Sequence, residues 1–557
     1  NKLDYRQTGV LDVNSVTSGG GGVDLAAARS GATTNNGTLI VNAGGALTIS
    51  QDVLTSGGSL SLTGAGVTVA GSTNVNSVAG TLTVNGGATG ITLNNTSLLL
   101  TTGTANLIGD AMSFTNSSQI GGTGAGAGNA TFVILQPSTA ATTVGLAGGA
   151  GTLNLTATEL ADVFSTNVHV GNSSSGAMAI NAWTPVATFA AGGVLTLDSG
   201  AGITQAGVID LSTSNSSLLI RGAGNVLLNT FSNVFTNVAA NKSAGNLSIT
   251  GNGSLTVTSL TDDVGTVNGI ATGGGNLLLD AQNALNVNSG ITAGAGSVAL
   301  KANQDGAGTQ GFSQANATTI SGTGISITVN TAGTAAADGG GAVVSNITDA
   351  GALSITTNNG SNDSTGNITR TATSALSGTS VSLTTGTGTI GTGTGANAIN
   401  LSGGQTVTAT THGGSGNVFL TGAGALTVGA GGITTGGGQV NVATTAAGTL
   451  TTTGGITTSG GNVTLDSKDA LNVNGGITAG AGSVTLNANQ DGAGAQGFAQ
   501  ADSTTISGTG IAIKVNTGAG AGTGGAVVST LTDAGALSIA NSTSPFSTAA
   551  MAGAVPR

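Results

Sequence analysis

The residues best suited to acid–base chemistry are few, because charged side chains make up only 6% of the 557 residues. Asp262 and Asp263 form the only adjacent acidic pair. Paired carboxylates can supply general acid–base catalysis, for example in polysaccharide cleavage. Aromatic residues for stacking against sugars are nearly absent, with one Trp (Trp183) and one Tyr (Tyr5). We therefore expect the LTDDVG segment to form a solvated turn and the chain not to be an enzyme.

Metal ligands are equally sparse. His169 and His412 are the only histidines, they lie far apart in sequence, and the chain contains no Cys. Neither histidine has a second ligand at a spacing typical of a zinc site. We expect surface or structural roles for both, and predict no metal, no cofactor and no catalytic residue.

Glu159 is the only glutamate, and it follows Thr156 in a T-x-x-E pattern ahead of the sequence LADVF. This pattern is typical of a capping box that opens a short helical turn. Glu159 as a general acid is the alternative, with Asp162 as its only nearby carboxylate. The capping role is favoured.

The motif NQDGAG occurs twice, around Asp305 and Asp491, and each copy is followed by a Phe, Phe312 or Phe498. Asp and Gln oxygens are suitable calcium ligands, but the GGxGxDxUx repeats of calcium-binding solenoids are missing. We favour a loop that leaves the main body and is pinned by the Phe packing onto it.

Threonine pairs at Thr434–Thr435 and Thr457–Thr458 resemble the flat threonine face of ice-binding solenoids. The threonine positions drift between successive repeats, so we expect no such face.

The composition narrows the fold class. Gly supplies 101 residues, Pro 4, aromatic residues 2%, and Glu occurs once. Gly, Thr, Ser, Asn and Val are poor helix formers, whereas Thr and Val favour strands and Gly and Asn favour turns. No apolar stretch approaches the roughly 18 residues of a membrane-spanning helix. The net charge of −11 and the scattered basic residues argue against nucleic acid as a partner.

Internal repeats indicate how these strands are arranged. A long block begins at Gly275 and recurs at Gly461. Inside it, GGIT recurs with Ile433, Ile456 and Ile477, at steps of 23 and 21 residues. Apolar residues alternate within each segment, which places Leu, Val and Ile on one face of a strand. Stacking such coils predicts a β-solenoid of about 21 to 23 residues per turn, with a narrow aliphatic core.

Two further expectations concern the coils. Asn288 and Asn474 lie at equivalent corners, where stacked side chains would form hydrogen-bonded ladders. Ile477 is expected to lie in the core.

The GGxLTVxGGIT and SGNVTL style of repeat resembles large bacterial surface proteins of the filamentous haemagglutinin type. The segment GTLNLTATELADVFSTNVHVGNSSSGAMAINA, which begins at Gly151, is similar to an element recurring in those proteins. The resemblance implies a right-handed parallel β-helix, secretion and adhesion at the cell surface.

The charge distribution suggests three parts. Residues 1–35 hold six charged residues by position 29 and are predicted to form a capping or docking segment. Residues 36–545 form the predicted solenoid, with an internal duplication near 275–355 and 461–539, and residues 546–557 form a C-terminal tail. No residue is charged between Asp52 and Asp110 or between Arg370 and Asp466, so the flanks lack electrostatic protection against association.

These observations predict an extracellular structural or adhesive solenoid at the bacterial cell surface: a stalk, an adhesin segment or a filament subunit of an extracellular matrix. Self-association, head-to-tail or lateral, and cell-surface glycans are the expected partners, without nucleic acid or a membrane-spanning segment. A polysaccharide-active enzyme and a glycan- or ice-binding solenoid are the alternatives. The chain as a piece of a longer solenoid is an equally open interpretation of its two ends.

Overall fold

A computed structural model of the chain describes residues 11–16, 23–25, 33–34, 38–115, 117–124, 128–306, 308–330, 339–358, 364–518 and 520–542. The described part is nearly all β. Its parallel strands stack in a β-solenoid of about 20 turns, with almost no helix, which confirms the predicted fold class. Two compact units divide the chain, Asn1–Asn276 and Leu277–Arg557.

Where the structure describes it, the first unit contains one helical turn, Ala157–Leu160, and mostly short strands. Its strands are Leu11–Val16, Val23–Leu25, Thr33–Thr34, Leu39–Ala43, Leu47–Ile49, Val53–Thr55, Leu60–Thr63, Val67–Val69, Asn74–Asn76, Leu82–Gly87, Ile91–Leu93, Leu98–Leu100, Thr104–Gly109, Met112–Phe114, Gln119–Ile120, Ala130–Gln136, Val144–Leu146, Leu153–Leu155, Ser165–Asn172, Met178–Ile180, Val194–Ser199, Gly202–Gln205, Ser217–Gly222, Asn225–Asn233, Asn237–Lys242, Leu247–Gly251, Leu255–Val257, Ser259–Thr261, Thr266–Asn268 and Ile270–Ala271.

The described residues of the second unit include one 3-10 turn, Gly395–Asn397. Its strands are Leu277–Ala281, Leu285–Val287, Ile291–Thr292, Val298–Ala302, Phe312–Gln314, Thr319–Gly322, Ile325–Val329, Ala342–Val344, Asn346–Asp349, Ala352–Thr357, Ile368–Arg370, Leu376–Ser377, Ser380–Thr385, Ile399–Leu401, Gln405–Thr411, Val418–Gly422, Leu426–Thr435, Val440–Thr444, Leu450–Thr452, Ile456–Thr458, Val463–Asp466, Leu471–Val473, Ile477–Thr478, Val484–Ala488, Phe498–Gln500, Thr505–Val515, Ala526–Val527 and Thr530–Asn541.

Strands in which apolar and polar residues alternate form the core, as the sequence predicts. Ile456 pairs in register with Ile433 and Ile477, and all three side chains are completely buried. Each strand therefore places its apolar residues against those of the neighbouring coils and turns the residues between them outward. Burial of such aliphatic side chains contributes about 1.5–3 kcal/mol each.

Coil length is less regular than the sequence repeats predict. Leu277 pairs with Val298, and Val298 pairs with Ile325, so the second of these two coils is clearly longer than the first. In the first unit the coil that leads from Val133 to its partner Val168 is longer still. The longer coils carry loops between strands, which the solenoid tolerates because the loops lie outside the stacked ladder.

The core also accepts aromatic rings, in contrast to the predicted packing of Phe312 and Phe498 against the outside. Both lie in strands and are 2% and 1% exposed. Phe312 pairs with Leu285, and Phe498 pairs with Leu471, so each ring occupies an ordinary inward position of the ladder.

One corner of the second unit requires glycine for steric reasons. A Cβ on Gly438 would lie 2.0 Å from the carbonyl oxygen of Gly416, and a Cβ on Gly461 would lie 2.0 Å from that of Gly438. Stacked glycines therefore allow the backbones of successive coils to approach closely at this corner.

The asparagine ladders lie elsewhere than predicted. Asn288 and Asn474 are exposed, and neither side chain forms a ladder within the described residues. Instead, Asn225 Oδ1 accepts a hydrogen bond from the Asn246 backbone N–H, and Asn246 Oδ1 accepts one from the Asn276 N–H. These amides satisfy corner N–H groups of the next coil, because corners lack the strand ladder.

Parts of both predicted terminal segments lie outside the described residues, including all of 546–557. Within 1–35, the strand Leu11–Val16 pairs in parallel with Leu39–Ala43. The described part of the chain holds no helix with the length and apolar character of a membrane crossing.

Candidate functional site

One sheet face of the first unit differs from its surroundings. Val194–Ser199, Ser217–Gly222 and Asn237–Lys242 are parallel neighbours. Every residue of Val194–Ser199 is buried, whereas an ordinary solenoid strand buries only alternate residues. The outward residues of this strand must therefore be covered by another element.

That element is a β-hairpin formed by the antiparallel strands Ser259–Thr261 and Thr266–Asn268. It contributes to a small second core outside the solenoid core. The members of this outer core are all at least nine-tenths buried: Val194, Leu219, Ala239, Leu260 and Val267. The hairpin is thus held on the sheet partly by apolar burial.

The turn of the hairpin is anchored by an ion pair. Arg221 Nε lies 2.6 Å from Asp262 Oδ2, and Arg221 Nη2 lies 2.7 Å from Asp262 Oδ1. Thr196 Oγ1 and the backbone N–H groups of Val264 and Gly265 also donate to the Asp262 carboxylate. Burial alone would raise the pKa of Asp262, but the hydrogen bonds and charge of Arg221 hold it below its usual value.

Beside this pair, His169 lies between two carboxylates. His169 Nδ1 is 2.7 Å from Asp263 Oδ1, a hydrogen bond, and Nε2 is 3.7 Å from Asp198 Oδ2, an ion-pair contact too long for a hydrogen bond. Burial alone would lower the pKa of His169, but Asp198 and Asp263 raise it to about 9. The imidazolium form is therefore the stable one at neutral pH in the absence of another cation.

The expectation of a solvated Asp262–Asp263 turn is wrong for Asp262, which is only 5% exposed. Its carboxylate faces inward because Arg221, on the sheet below, supplies a guanidinium of matching geometry. The surrounding sequence SLT-DDVG-TVN contained the signal for a hairpin, two short alternating segments around a turn. The partner residue lies far earlier in the chain, and the sequence analysis did not identify it.

This arrangement of His169, Asp198 and Asp262 is better suited to stabilising buried charges than to catalytic turnover. His169 is 4% exposed and Asp198 is 6% exposed. Asp262 is occupied by Arg221 and by the turn amides. One ligand atom each from His169, Asp262 and Asp263 lies within 4.8 Å of the others, so the cluster also contains the donor types of a metal site.

The structure confirms the capping box. Thr156 Oγ1 accepts from the Glu159 N–H, while Glu159 Oε2 accepts from the Thr156 N–H. Glu159 Oε1 additionally accepts a hydrogen bond from the Phe114 N–H, which ties the helical turn to a strand much earlier in the chain. Burial and the neighbouring Glu159 raise the pKa of Asp162 to about 6.

The remaining predicted sites are not brought together. His412 is exposed, and so are Asp305 and Asp491 in their loops. Asn303 and Asn489 in these loops are buried, and each donates from Nδ2 to an asparagine of the next coil at 2.6 Å. The NQDGAG motifs thus contribute an internal asparagine contact that the sequence analysis did not identify.

The expected drift of threonine positions is also wrong. Thr434 pairs with Thr457, which pairs with Thr478, and all three are exposed. Thr435 and Thr458 point the other way and are 1% and 2% exposed. The aligned outward positions form one in-register hydroxyl row: Thr328, Thr356, Thr384, Thr410, Thr434, Thr457, Thr478, Ser507 and Thr532.

Residues that pair between neighbouring coils are not separated by a constant number of residues, because the coils differ in length. Along this hydroxyl row, the stretch of chain between Thr478 and Ser507 is longer than the stretch between Thr457 and Thr478, yet both pairs are direct neighbours. Loops absorb the difference, so positions that drift in sequence stay aligned in space.

Comparison of the chain with protein-family models, with curated proteins and with solved structures gives no match.

Proposed function

We propose that the chain is a structural β-solenoid that acts outside the cell as a stalk, adhesin segment or filament subunit. The observation that carries this proposal is the parallel ladder, which in the second unit presents a row of outward hydroxyl side chains. Such a solenoid derives its stability from neighbouring coils and needs no ligand to fold. The resemblance of the repeats to haemagglutinin-type surface proteins supports a location at the bacterial surface.

Polysaccharide cleavage is the less favoured interpretation, because the clustered carboxylates are committed to internal contacts. A shallow groove beside Phe498 is lined by small and amide side chains and Val527, without a carboxylate among its described residues. Incubation with acidic and neutral polysaccharides is expected to release no sugar. Release that disappears in an Asp262→Ala/Asp263→Ala variant would establish the enzyme instead.

Self-association is supported by an exposed strand in the second unit. Leu353 and Leu537 occupy equivalent places in the two copies of DAGALSI, but Leu353 is 1% exposed and Leu537 is 40% exposed. The strand Ala352–Thr357 is covered by Ser380–Thr385, whereas Thr530–Asn541 pairs only with Thr505–Val515 among the described strands.

An edge of this kind offers backbone N–H and C=O groups together with apolar side chains, and both favour the addition of another parallel strand. We propose that the added strand is Leu11–Val16 of a second copy, which in its own chain pairs with Leu39–Ala43. Such a contact joins different surfaces of the two copies and therefore produces open head-to-tail filaments.

Electron microscopy and sedimentation of the purified chain test this assembly. We expect concentration-dependent filaments that disappear when residues 1–20 are deleted, while a deletion of residues 546–557 leaves them in place. Filaments that persist after removal of residues 1–20 would contradict docking by the N-terminal strand. A single species at high concentration would contradict filament formation altogether.

The hydroxyl row favours a second candidate function, binding of an ordered surface such as ice. Parallel neighbours repeat at about 4.8 Å, so the hydroxyls of Thr434, Thr457 and Thr478 form a regular array. Thermal hysteresis and inhibition of ice recrystallisation measure this activity. A Thr457→Lys variant should lose it, and a Thr63→Lys variant in the first unit should retain it; an inactive parent chain excludes the function.

A further inference from the structure

The cluster beneath the hairpin contains two buried polar atoms that lack a hydrogen-bond partner, although one of them takes part in an ion-pair contact. Within the described residues, His169 Nε2 and Asp198 Oδ1 accept or donate no hydrogen bond. The two side chains are 6% and 9% exposed, and Nε2 faces Asp198 Oδ2 across 3.7 Å. A buried polar group without a partner is costly, so this gap is suited to a ligand that binds both a nitrogen and a carboxylate.

The other side of the imidazole is already arranged as in metal-binding histidines. His169 Nδ1 lies 2.7 Å from Asp263 Oδ1. A histidine that coordinates a metal through one nitrogen almost always donates its other N–H to a carboxylate or carbonyl, which fixes the ring and increases its basicity. The contact with Asp263 therefore orients Nε2 toward Asp198.

The net charge of the cluster indicates whether a proton or a metal ion neutralises it more completely. Asp198, Asp262 and Asp263 supply three negative charges, and Arg221 compensates one of them through Asp262. With a neutral His169 the cluster holds two uncompensated negative charges, that of the buried Asp198 and that of the exposed Asp263. A proton on the imidazole removes one, whereas a divalent cation removes both.

We propose that His169 Nε2 and the Asp198 carboxylate bind a divalent transition-metal ion of the Zn²⁺ type, with Asp263 as the residue that positions the imidazole. An imidazole nitrogen combined with a carboxylate suits such ions better than Ca²⁺ or Mg²⁺. Asp262 is not a ligand in this site, because Arg221 and the turn amides occupy its oxygens.

The site joins two elements. His169 and Asp198 belong to neighbouring strands of the solenoid sheet, and Asp263 belongs to the turn of the hairpin. Bound metal would therefore fasten the hairpin to the sheet more tightly, because Asp263 holds the ligand imidazole. This proposal is independent of the proposed filament function.

Metal binding is tested directly on the full chain. After treatment with a chelator, the chain is titrated with Zn²⁺ by calorimetry at pH 8, where fewer protons compete for the imidazole, and with Co²⁺ by visible absorption. We expect one metal ion per chain, with loss of binding in His169→Ala and in Asp198→Asn. Asp263→Asn should weaken binding by about 10- to 100-fold.

His412→Ala is the matched control, because His412 is exposed and should leave the binding unchanged. Urea unfolding of each metal-free variant shows whether the hairpin region still folds. Zn²⁺ should raise the urea midpoint of the parent chain and of His412→Ala, but not that of Asp198→Asn. Undiminished binding in His169→Ala or Asp198→Asn would overturn the proposal, and so would an absence of binding at pH 8, which means that a proton alone occupies the gap.

Discussion

The outward-facing residues of the two units differ in burial and in charge. In the first unit, outward Val194, Thr196 and Asp198 are buried beneath a hairpin, and an ion pair joins the hairpin to the sheet. In the second, outward Thr457 and Thr478 stay exposed and uncharged. The inner faces are alike, since both bury Leu, Val and Ile. The comparison teaches that the inward residues specify the solenoid, whereas the outward ones are free to acquire a cover, a charge cluster or a regular array.

The largest expected difference in stability is between substitutions at adjacent positions on the inner and outer faces of one strand. Ile477→Asp would place a carboxylate in a completely buried aliphatic ladder between Ile456 and Ile506. Urea unfolding followed by circular dichroism should show a loss of several kcal/mol, because a buried charge without a partner is strongly unfavourable. Thr478→Asp, one residue later and exposed, should change the stability by less than about 0.5 kcal/mol. Equal losses in the two variants would mean that the strand does not alternate as described.

The next largest difference in stability is expected between substitutions on the outer faces of the two units. Arg221→Leu leaves the buried Asp262 carboxylate without its cation, so the free energy of unfolding of the first unit should fall by about 3–5 kcal/mol. Thr457→Leu on the exposed row should cost less than about 0.5 kcal/mol. A mild effect of Arg221→Leu, as small as that of Thr457→Leu, would show that the hairpin is not held by the ion pair. The double variant Arg221→Leu/Asp262→Leu should recover part of the loss, because it removes both charges.

Much of the fold follows from the sequence, for a physical reason. A two-residue alternation and a repeat such as that of Ile433, Ile456 and Ile477 leave only a stacked solenoid as a way to bury the apolar face. The contacts of the outward residues could not be predicted, because the alternation of apolar and polar residues does not determine which outward residues meet. Arg221 and Asp262 are joined through a hairpin that folds back across three strands. The hydroxyl row was missed because coil lengths vary while register is preserved.

The smallest expected effect concerns Asp162, for which no ion pair is found among the described residues. Burial and Glu159 raise the pKa of Asp162 to about 6, from 3.8. The folded chain therefore binds this proton more tightly than the unfolded chain. The resulting stabilisation is complete below pH 3.8 and is lost as the pH rises through about 6. Asp162→Asn should be more stable than the parent chain at pH 7 and equal to it near pH 3.5, as measured by urea midpoints. A variant that is less stable at pH 7 would contradict the assigned cause.

The most direct test of the central claim, in-register parallel stacking with an outward hydroxyl row, uses the absence of cysteine from the chain. Thr457 and Thr478 are paired neighbours, about 4.8 Å apart as parallel strands are, within the roughly 4.4–6.8 Å that a disulfide spans. Thr434 and Thr478 lie two coils apart on the same row. Mild oxidation of a Thr457→Cys/Thr478→Cys chain should give an intramolecular disulfide, located by peptide mass spectrometry, whereas Thr434→Cys/Thr478→Cys should keep free thiols. Failure of the first pair to oxidise, or equal oxidation of the second, would contradict the described register.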